Sequence, residues 1–508
     1  MAALASHEKK EGKMSTVGTQ PDVEGQRLED FGYHQVLHRA MSGVRATMVN
    51  VSTSSVTTGV FTLFAYGLLT GGTSFVWTYA IGFVVLLMVV LMFSELGSSM
   101  PIAGALYQWN SRLVGPRYGY FTAWLYVASQ IAIVGAVAFG FAPFVASLFN
   151  VTLSVHGQEL VAIGIVALCT LINLVGIVIA SEVAAIGAIA EVVGMLVLTV
   201  VLLVAGLGHQ SAGVLIHQDG LPPHSSFLAA GLAAMLFGCW SYTGIEMCTD
   251  MAEETKSASR VIPRAGITSL TITFAVGMVV LIAAVLAIPG SIAKTFGSAN
   301  PLQSIIVGNT GTAFYKVIMV VVCVAVFVCT MDNQALTARA LFSQARDGKF
   351  PFARQVQHVP RSTRVPAVAI ILVGVLTCVM LLFTSAVSVI ATASITGLFV
   401  CYLMVIWAQL IQRLRGRWTP HVWSLGRWSL PVNVLAVVLA TALTLNLAWW
   451  RGTAPWYDRY SGFLFIAGAF LVAGLYYMLG GAEARRAITL HPLDREGAGA
   501  EGAVVHGR

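Results

Sequence analysis

The sequence predicts an all-α integral membrane protein with twelve transmembrane helices. Hydrophobic residues make up 57% of the 508 positions and charged residues only 10%, whereas soluble domains carry roughly a quarter charged residues. Mean hydropathy is +0.80. Apolar runs near the ~20 residues needed to cross the hydrocarbon recur along nearly the whole chain. We place the spans at about 44–69, 75–95, 118–148, 159–180, 183–207, 227–250, 268–290, 314–338, 365–385, 388–411, 430–450 and 461–480.

The basic residues set the predicted orientation. With the N-terminus inside, all but four of the 29 Lys and Arg residues fall on the inner side, the exceptions being Lys294, Lys316, Arg451 and Arg459. The positive-inside rule therefore supports the span count and predicts a multi-pass protein of the cell membrane with both termini cytosolic. Basic charge confined to such loops reports topology, so we expect no nucleic-acid partner. The polar segments 1–43 and 483–508 are expected to be disordered tails.

The first span contains an unusual polar stretch, residues 52–59. It holds six hydroxyl side chains and Gly59 within eight residues. One explanation is that the hydroxyls bond back to carbonyls one turn earlier and bend the helix. The other is a helix broken at mid-membrane, whose free amides and carbonyls bind a small polar solute.

The sixth span carries a second polar interruption, residues 238–244, with glycine at both ends and hydroxyls and large aromatics between them. Two such interruptions, about five spans apart, favour the broken-helix explanation for both. The acids that follow, Asp250, Glu253 and Glu254, are expected to form a solvated helix face with local ion pairs.

Three further polar residues lie in or beside predicted spans. Gln130 lies on the apolar background of the third span. Glu95 ends the second span and is expected to pair with a basic loop residue such as Arg112, or else to line a pathway. Glu191 lies about two turns inside the fifth span, where a carboxylate costs roughly 2.5–3.5 kcal/mol on insertion scales. It is either a proton relay or a simple hydrogen-bond partner of a neighbouring helix.

Several classes of function are disfavoured. The seven cysteines show no metal-ligand spacing alongside histidine, so we expect no disulfide framework and no zinc site. The eleven histidines lie in tails and loops, and a membrane enzyme would need clustered His, Asp or Cys at membrane depth. No phosphate-binding loop of the GxxxxGK[ST] type is present. We therefore expect no enzyme, no catalytic residues, no metal and no cofactor.

Four groups of residues together resemble the amino acid–polyamine–organocation superfamily of transporters, and in particular its amino acid, choline and aminobutyrate permease branch. They occur in the right order, in the right spans and on the right side of the membrane. The groups are Thr57–Phe61 with Tyr66-Gly67 and Gly71-Gly72; Ser94–Leu96 through Pro101–Trp109; Tyr242–Glu246 with Ala252–Thr255; and Ala345–Pro351.

The resemblance implies a core of ten helices in two inverted repeats of five, residues 44–207 and 227–411. Helices one and six would be broken at the midplane, as in the leucine-transporter-like fold. Spans eleven and twelve, residues 430–480, match by hydropathy alone. This chain has Thr57-Thr58 before Gly59, where the family commonly has small residues and glycine, which bears on the identity of the substrate.

The two interruptions predict a substrate site. Unpaired amides of a half-helix starting at Gly59-Val60 suit a carboxylate, and open carbonyls near Ser55 and near Cys239-Trp240 suit an ammonium. Trp240 and Tyr242 either cover the solute, with cation–π attraction of roughly 0.5–2 kcal/mol, or pack against the third helix. The full predicted substrate-binding set is Ser55, Val56, Thr57, Thr58, Gly59, Gln130, Cys239, Trp240, Tyr242, Thr243 and Gly244.

The sequence therefore predicts a secondary active transporter of an amino acid or small amine, such as aminobutyrate or a choline-like solute, working by alternating access. Its expected partners are this small molecule and membrane lipid. The alternatives are a six-plus-six type transporter, which would have a long loop between spans six and seven, and a non-enzymatic sensor or channel.

The expected driving force is proton coupling or exchange. The eighth span offers Thr330, Asp332 and Asn333 but no adjacent pair of hydroxyls for a sodium site. Glu191 is far in sequence from any Lys or Arg, and burial without a cation favours its neutral form. We therefore expect Glu191 to load and unload a proton.

Overall fold

The computed structural model describes residues 28–217, 219–221, 226–298, 300–383, 387–418, 420, 422–449 and 456–479. Within them every regular element is a helix, and the single β-bridge joins Met41 to Thr255. The α-helices are α1 (Gly43–Thr53), α2 (Val56–Gly71), α3 (Val76–Ser99), α4 (Ala105–Leu113), α5 (Pro116–Phe149), α6 (Val155–Val175), α7 (Ile177–Ala205), α8 (Phe227–Trp240), α9 (Met247–Asp250), α10 (Ala258–Leu286), α11 (Ile292–Phe296), α12 (Pro301–Arg346), α13 (Ala353–Val356), α14 (Ala367–Leu381), α15 (Val387–Leu414), α16 (Ser429–Ala448), α17 (Trp456–Arg459) and α18 (Ser461–Leu479).

Nine helices among the described residues are long and apolar enough to cross a membrane, and α8 and α14 are shorter apolar helices. The outer surface is apolar as well: the side chains of Leu171, Ile186 and Val204 are 63%, 66% and 66% exposed. Contiguous exposed apolar surface of this kind needs lipid around it. The prediction of an all-α membrane protein is confirmed. Each predicted span overlaps one of these helices or a pair of them.

The first predicted span is interrupted between α1 and α2, at Ser54 and Ser55, which we call the first break. The structure shows both back-bonded hydroxyls and a broken helix, and the binding of a solute at the break stays a prediction. The hydroxyls of Thr53 and Ser54 bond back to the carbonyls of Val49 and Asn50, at 2.6 and 2.8 Å. Ser55 instead starts a new helix, because its Oγ accepts the Thr58 amide at 3.1 Å as an N-cap.

The sixth predicted span is also interrupted. Helix α8 ends at Trp240, and residues 241–246 form turns before α9 begins at Met247; we call residues 241–246 the second break. Gly244 has φ of +85°, a conformation that suits glycine because it lacks a Cβ.

The two breaks lie against each other. A Cβ atom on Gly59 would be 2.7 Å from Ser241 Cβ, and one on Gly244 would be 3.3 Å from Thr53 Cβ. Glycine at both positions lets the backbones approach this closely. Helices α5, α7 and α12 surround the pair, since α12 packs against α5 and α7, and α7 packs against α1.

Residues 28–41, here called the N-terminal segment, belong to the predicted tail but are docked on the bundle. Met41 N donates to Glu254 O and Lys256 N donates to Met41 O, each at 2.9 Å. The Tyr33 hydroxyl donates to Asp347 Oδ1 at 2.9 Å. This part of the tail is therefore not free chain. Residues 1–27 and the predicted tail 483–508 lie outside the described residues.

The acids after the second break differ from the expected solvated face, because they are buried. Asp250, Glu253 and Glu254 are 0%, 2% and 0% exposed. Glu254 forms a two-bond ion pair with Arg339, at 2.9 Å for each bond, and Glu253 pairs with Arg346 at 3.0 Å. Arginine side chains from α12 compensate two of these charges, which the sequence does not reveal because the partners are about 90 positions away.

Glu95 is also buried and ion-paired. Its partner is Arg413 of α15 rather than the expected Arg112, and the Ser429 hydroxyl also donates to it. The short helix α4 follows Glu95 in the chain and is packed inside the bundle, with its residues 105–111 buried.

Candidate functional site

A carboxylate occupies the start of the second half-helix at the first break. Glu191 of α7 is 1% exposed. Its Oε1 atom accepts from the Thr57 amide at 2.7 Å and from the Ser55 hydroxyl at 2.6 Å. Free amides at the first turn of a helix attract negative charge. Glu191 thus occupies the first turn of α2, about one turn before the Gly59-Val60 position at which the sequence analysis puts a solute carboxylate.

The half-helix begins earlier than predicted. Its first residue is Val56 instead of Gly59, and the Gly59 amide already donates to the Ser55 carbonyl at 3.0 Å. The predicted anion site at Gly59-Val60 is therefore wrong in register by about one turn, and the Ser55 carbonyl is engaged instead of open. The amides at the start of the helix are those of residues 56–58, of which Thr57 donates to Glu191 and Thr58 to the Ser55 hydroxyl oxygen.

Polar atoms without partners cluster at this break. Thr57 Oγ1, Glu191 Oε2 and Asn333 Oδ1 are buried and make no hydrogen bond. A buried polar atom left unsatisfied costs about 1–3 kcal/mol. Three of them around one helix break are free to form hydrogen bonds with a polar ligand or water.

Helix α12 faces the first break with polar side chains. Asn333 Nδ2 donates to the Thr53 carbonyl at 3.2 Å, and the Ser52 hydroxyl donates to Asp332. The Thr330 hydroxyl is bonded within its own helix, to Val326 O at 2.7 Å. The eighth predicted span therefore contributes an amide and a carboxyl group, not a hydroxyl, to the break.

At the second break, the carbonyls expected to be open already accept hydrogen bonds. The Cys239 carbonyl accepts the Tyr242 amide, and the Trp240 carbonyl accepts the Thr243 amide, each at 3.2 Å. These bonds close the turn that carries the chain from α8 to α9. In this conformation the side chains of the second break are more available to a solute ammonium than these two carbonyls are.

The two aromatic residues at the second break are both buried. Tyr242 packs on Tyr79 of α3, with ring centroids 4.7 Å apart, and its hydroxyl donates to the Tyr79 carbonyl at 3.1 Å. It therefore packs on the second predicted span and not on the third. Trp240 is 2% exposed, and its predicted role as a cover stays a prediction.

Gln130 of α5 reaches the second break through an acid that the sequence analysis did not select. Its Nε2 atom donates to Glu246 Oε1 at 2.6 Å. Glu246 also accepts from the hydroxyls of Tyr126 and Tyr402. The position of Glu246 just after the Gly238–Gly244 interruption could have marked it as a site residue. Its partners could not be predicted, because they lie on helices far away in sequence.

The structure thus groups the predicted site residues in two places. Ser55, Thr57 and Thr58 gather with Glu191 at the first break, while Gln130 joins Glu246 at the second. Val56, Cys239, Thr243 and Gly244 are buried parts of the breaks. Within the described residues no group of three or more His, Cys, Asp or Glu could hold a metal ion.

Comparison with known proteins identifies related sequences. A family model described as amino acid permease matches residues 42–474. The amino-acid permease BAT1 of Arabidopsis thaliana is 26% identical over 451 residues, which cover 82% of this chain and 87% of that protein. The serine/threonine exchanger SteT of Bacillus subtilis is 25% identical over 340 residues, 66% of this chain and 74% of its own length.

Comparison with solved structures supports the fold. A mutant of the manganese transporter of Eremococcus coleocola superposes with a TM-score of 0.57 at 14% sequence identity, covering 87% of this chain and 94% of that one. At this level of identity the likeness concerns the fold alone.

Proposed function

The chain belongs to the amino acid permease family, and on this premise we propose that it is a secondary active transporter of an amino acid or small amine. Aminobutyrate and choline-like solutes fall within this class. A GABA-specific permease of Saccharomyces cerevisiae is among the similar proteins, at 22% identity over 68% of this chain and 64% of that protein. Transport proceeds by alternating access across the cell membrane.

The observation that carries the proposal is the contact between two interrupted helices. Thr53 meets Gly244 and Gly59 meets Ser241, so the ends of four half-helices converge on one buried point. Unwound backbone at membrane depth is tolerated where it lines a cavity or binds a solute. The unpartnered Thr57, Glu191 and Asn333 atoms at this point are available to a polar substrate.

Glu191 suggests how a solute and a proton are linked. While its carboxylate accepts from the Thr57 amide and Ser55 hydroxyl, a solute carboxylate cannot use the same donors. Protonation removes the charge that holds Glu191 there and frees them. An amino acid would then bind together with one proton, and the two would travel in the same direction as a symport. A solute without a carboxylate would instead bind with Glu191 in place, through its positive charge.

Proton coupling or exchange is favoured over sodium coupling for two reasons. The predicted eighth span has no hydroxyl residue adjacent to Thr330, so it lacks the hydroxyl pair expected of a sodium site. Asp332 and the Thr53 carbonyl, which face the first break, already accept hydrogen bonds from Ser52 and Asn333.

For the membrane topology, we propose twelve spans with α1–α2 as the first and α8–α9 as the sixth. The two repeats are residues 44–207 and 227–411, followed by spans eleven and twelve at 430–480, and both termini are cytosolic. The short link between α9 and α10, residues 251–257, argues against the six-plus-six alternative.

The test is a thermal-shift screen of the purified protein with amino acids, aminobutyrate, choline, ethanolamine and polyamines. Stabilisation by zwitterions but not by choline would place a solute carboxylate at the first break. Stabilisation by choline alone would favour binding of a solute without a carboxylate, through its positive charge and with Glu191 in place. Binding of sugars or nucleosides, and of none of these solutes, would overturn the proposed substrate class. Saturable counterflow of the stabilising solute in liposomes then distinguishes a carrier from a channel or sensor.

A further inference from the structure

A second pair of buried acids lies at the far side of the second break. Glu246 directly precedes the short helix α9 and Asp250 is its last residue, and both are 0% exposed. Between them lies the hydroxyl of Tyr126 from α5, which is 3.0 Å from Glu246 Oε1 and 2.6 Å from Asp250 Oδ2.

The hydrogen atoms at this cluster do not suffice for two ionised acids. Glu246 accepts from Gln130 Nε2 at 2.6 Å and from the Tyr402 hydroxyl, and three donors including Tyr126 suit a charged carboxylate. A phenol has one proton, so Tyr126 cannot donate fully to both acids. The 2.6 Å contact between Asp250 and Tyr126 joins two oxygen atoms and needs a proton of its own.

No positive side chain compensates the pair within the described residues. The arginine ion pairs there involve Glu182, Glu254, Glu253 and Glu95 instead. The titratable groups that interact with Glu246 and Asp250 are Tyr126 of α5, Tyr402 and Cys401 of α15, and Cys248 of α9. Two buried carboxylates without a cation would repel each other and lack solvation.

The amides of Gly104 and Ala105 lie close to Asp250, but they do not reach Tyr126. Asp250 Oδ1 and Gln130 Oε1 are buried oxygen atoms without a hydrogen-bond partner. The single phenol hydrogen of Tyr126 is therefore shared by two carboxyl contacts, one to Glu246 and one to Asp250. We infer that Asp250 carries a proton in this conformation, and that Asp250, Tyr126 and Glu246 form a proton-binding site distinct from Glu191.

The proton links α9 to α5. With it, Asp250 donates to Tyr126 and Tyr126 donates to Glu246. Without it, two negative charges share one hydroxyl, and α9 is pushed away from α5. For transport this inference rests on the proposed function, because it makes opening beside the second break depend on pH. The proton itself can be measured without any substrate.

The experiment is infrared spectroscopy of the purified full-length protein, unlabelled and labelled with ¹³C at the aspartate carboxyl carbon. A protonated aspartic acid gives a carbonyl stretch that shifts with the label and disappears on alkaline titration. We expect this band in the wild type and in Asp332→Asn, which alters the other buried aspartate near a break. We expect its loss in Asp250→Asn. An unchanged band in Asp250→Asn would overturn the inference.

Tyr126→Phe is the second variant, in case Asp250→Asn does not fold. It keeps the ring and removes the hydroxyl, so the Asp250 band should move and titrate at a different pH. An unmoved band with the same titration would contradict the site. If the wild-type band is lost when Na⁺ is added at constant pH, the site binds a metal cation in place of the proton, and the inference is overturned. None of these results depends on uptake, so failure of the transport proposal remains a separate outcome.

Discussion

Glu191 Oε1 lies 2.7 Å from the amide nitrogen of Thr57, so α7 supplies an internal anion to the start of α2. Dipoles at a helix N-terminus stabilise such a charge by about 0.3–2 kcal/mol. Whatever removes the charge also releases the amide. Under the proposed mechanism, this single contact would make the first break responsive both to protons and to solute carboxylates.

Glu191→Gln is expected to keep binding and exchange but to lose accumulation driven by a pH gradient. Glutamine still accepts through its amide oxygen, but it cannot carry a proton in one direction and return without it. Uptake into proteoliposomes with and without an imposed pH gradient measures this. Glu182→Gln is the matched control, because Glu182 is on the same helix, 48% exposed and paired with Arg45. Gradient-driven accumulation that survives in Glu191→Gln, or uptake that follows sodium at fixed pH, would sink the proposed relay.

Gly59→Val is expected to abolish uptake, and Gly59→Ala to reduce it. Even a methyl group would lie 2.7 Å from Ser241 Cβ, and overpacking of this kind costs about 1–3 kcal/mol. Adding Ser241→Gly to Gly59→Ala should restore only part of the activity, since it removes the Ser241 Oγ and Cβ atoms but leaves the residue 241 Cα at 2.8 Å. Gly164→Ala should be neutral, because a Cβ there meets nothing within 4 Å. Normal uptake by a well-expressed Gly59→Val protein would show that the two breaks need not touch.

Glu254→Gln is expected to destabilise the protein by about 3–5 kcal/mol, because it leaves the Arg339 guanidinium buried without its counter-charge. The two side chains are 0% and 2% exposed. Arg45→Gln, which breaks the exposed pair with Glu182, should cost about 0–1 kcal/mol. Thermal unfolding in detergent compares the two variants. Equal effects would mean that the Arg339 pair is not buried as described.

Tyr33→Phe is expected to loosen the N-terminal segment by removing its bond to Asp347. Faster amide hydrogen exchange in α1 would report this, with the exposed His34→Ala as control. Burial and the neighbouring Asp347 carboxylate raise the pKa of Tyr33 above its usual 10.0. The stability that its neutral form contributes is therefore fully present below pH 10 and lost only as the pH rises through the raised pKa. The effect of Tyr33→Phe should accordingly be constant between about pH 6 and 8, unlike that of Glu191→Gln, and a pH-dependent effect there would contradict this assignment.

Local sequence was enough to predict the helices and the approximate places of both breaks. The hydroxyls and glycines at residues 52–59 and 238–244 act on their own backbone, so their effect is visible in the chain order. The exact start of α2 was missed by about one turn, because Ser55, one of several adjacent hydroxyls, turned out to be the cap. The capping hydroxyl, that of Ser55, also donates to Glu191. Glu191 lies on another helix, so this contact is not visible in the local sequence.

The partners of the buried acids could not be predicted for the same reason. Glu254 meets Arg339, and Asp250 meets Tyr126, only after α5 and α12 pack around the second break. In the sequence alone, acidic residues close to basic loops have the pattern of a solvent-exposed helix face. Their burial is decided by tertiary contacts over 85 and 124 positions of the chain.

The backbone pairing of Met41 with residues 254–256 has a practical consequence for protein engineering. Two main-chain hydrogen bonds attach the N-terminal segment directly to the chain that follows the second break. This part of its anchorage does not depend on side chains, unlike the bond from Tyr33 to Asp347. A fluorescent protein or affinity tag fused in place of residues 28–41 would remove this anchorage, and the fusion would then report on an altered transporter. Fusion points upstream of residue 28 keep the pairing intact.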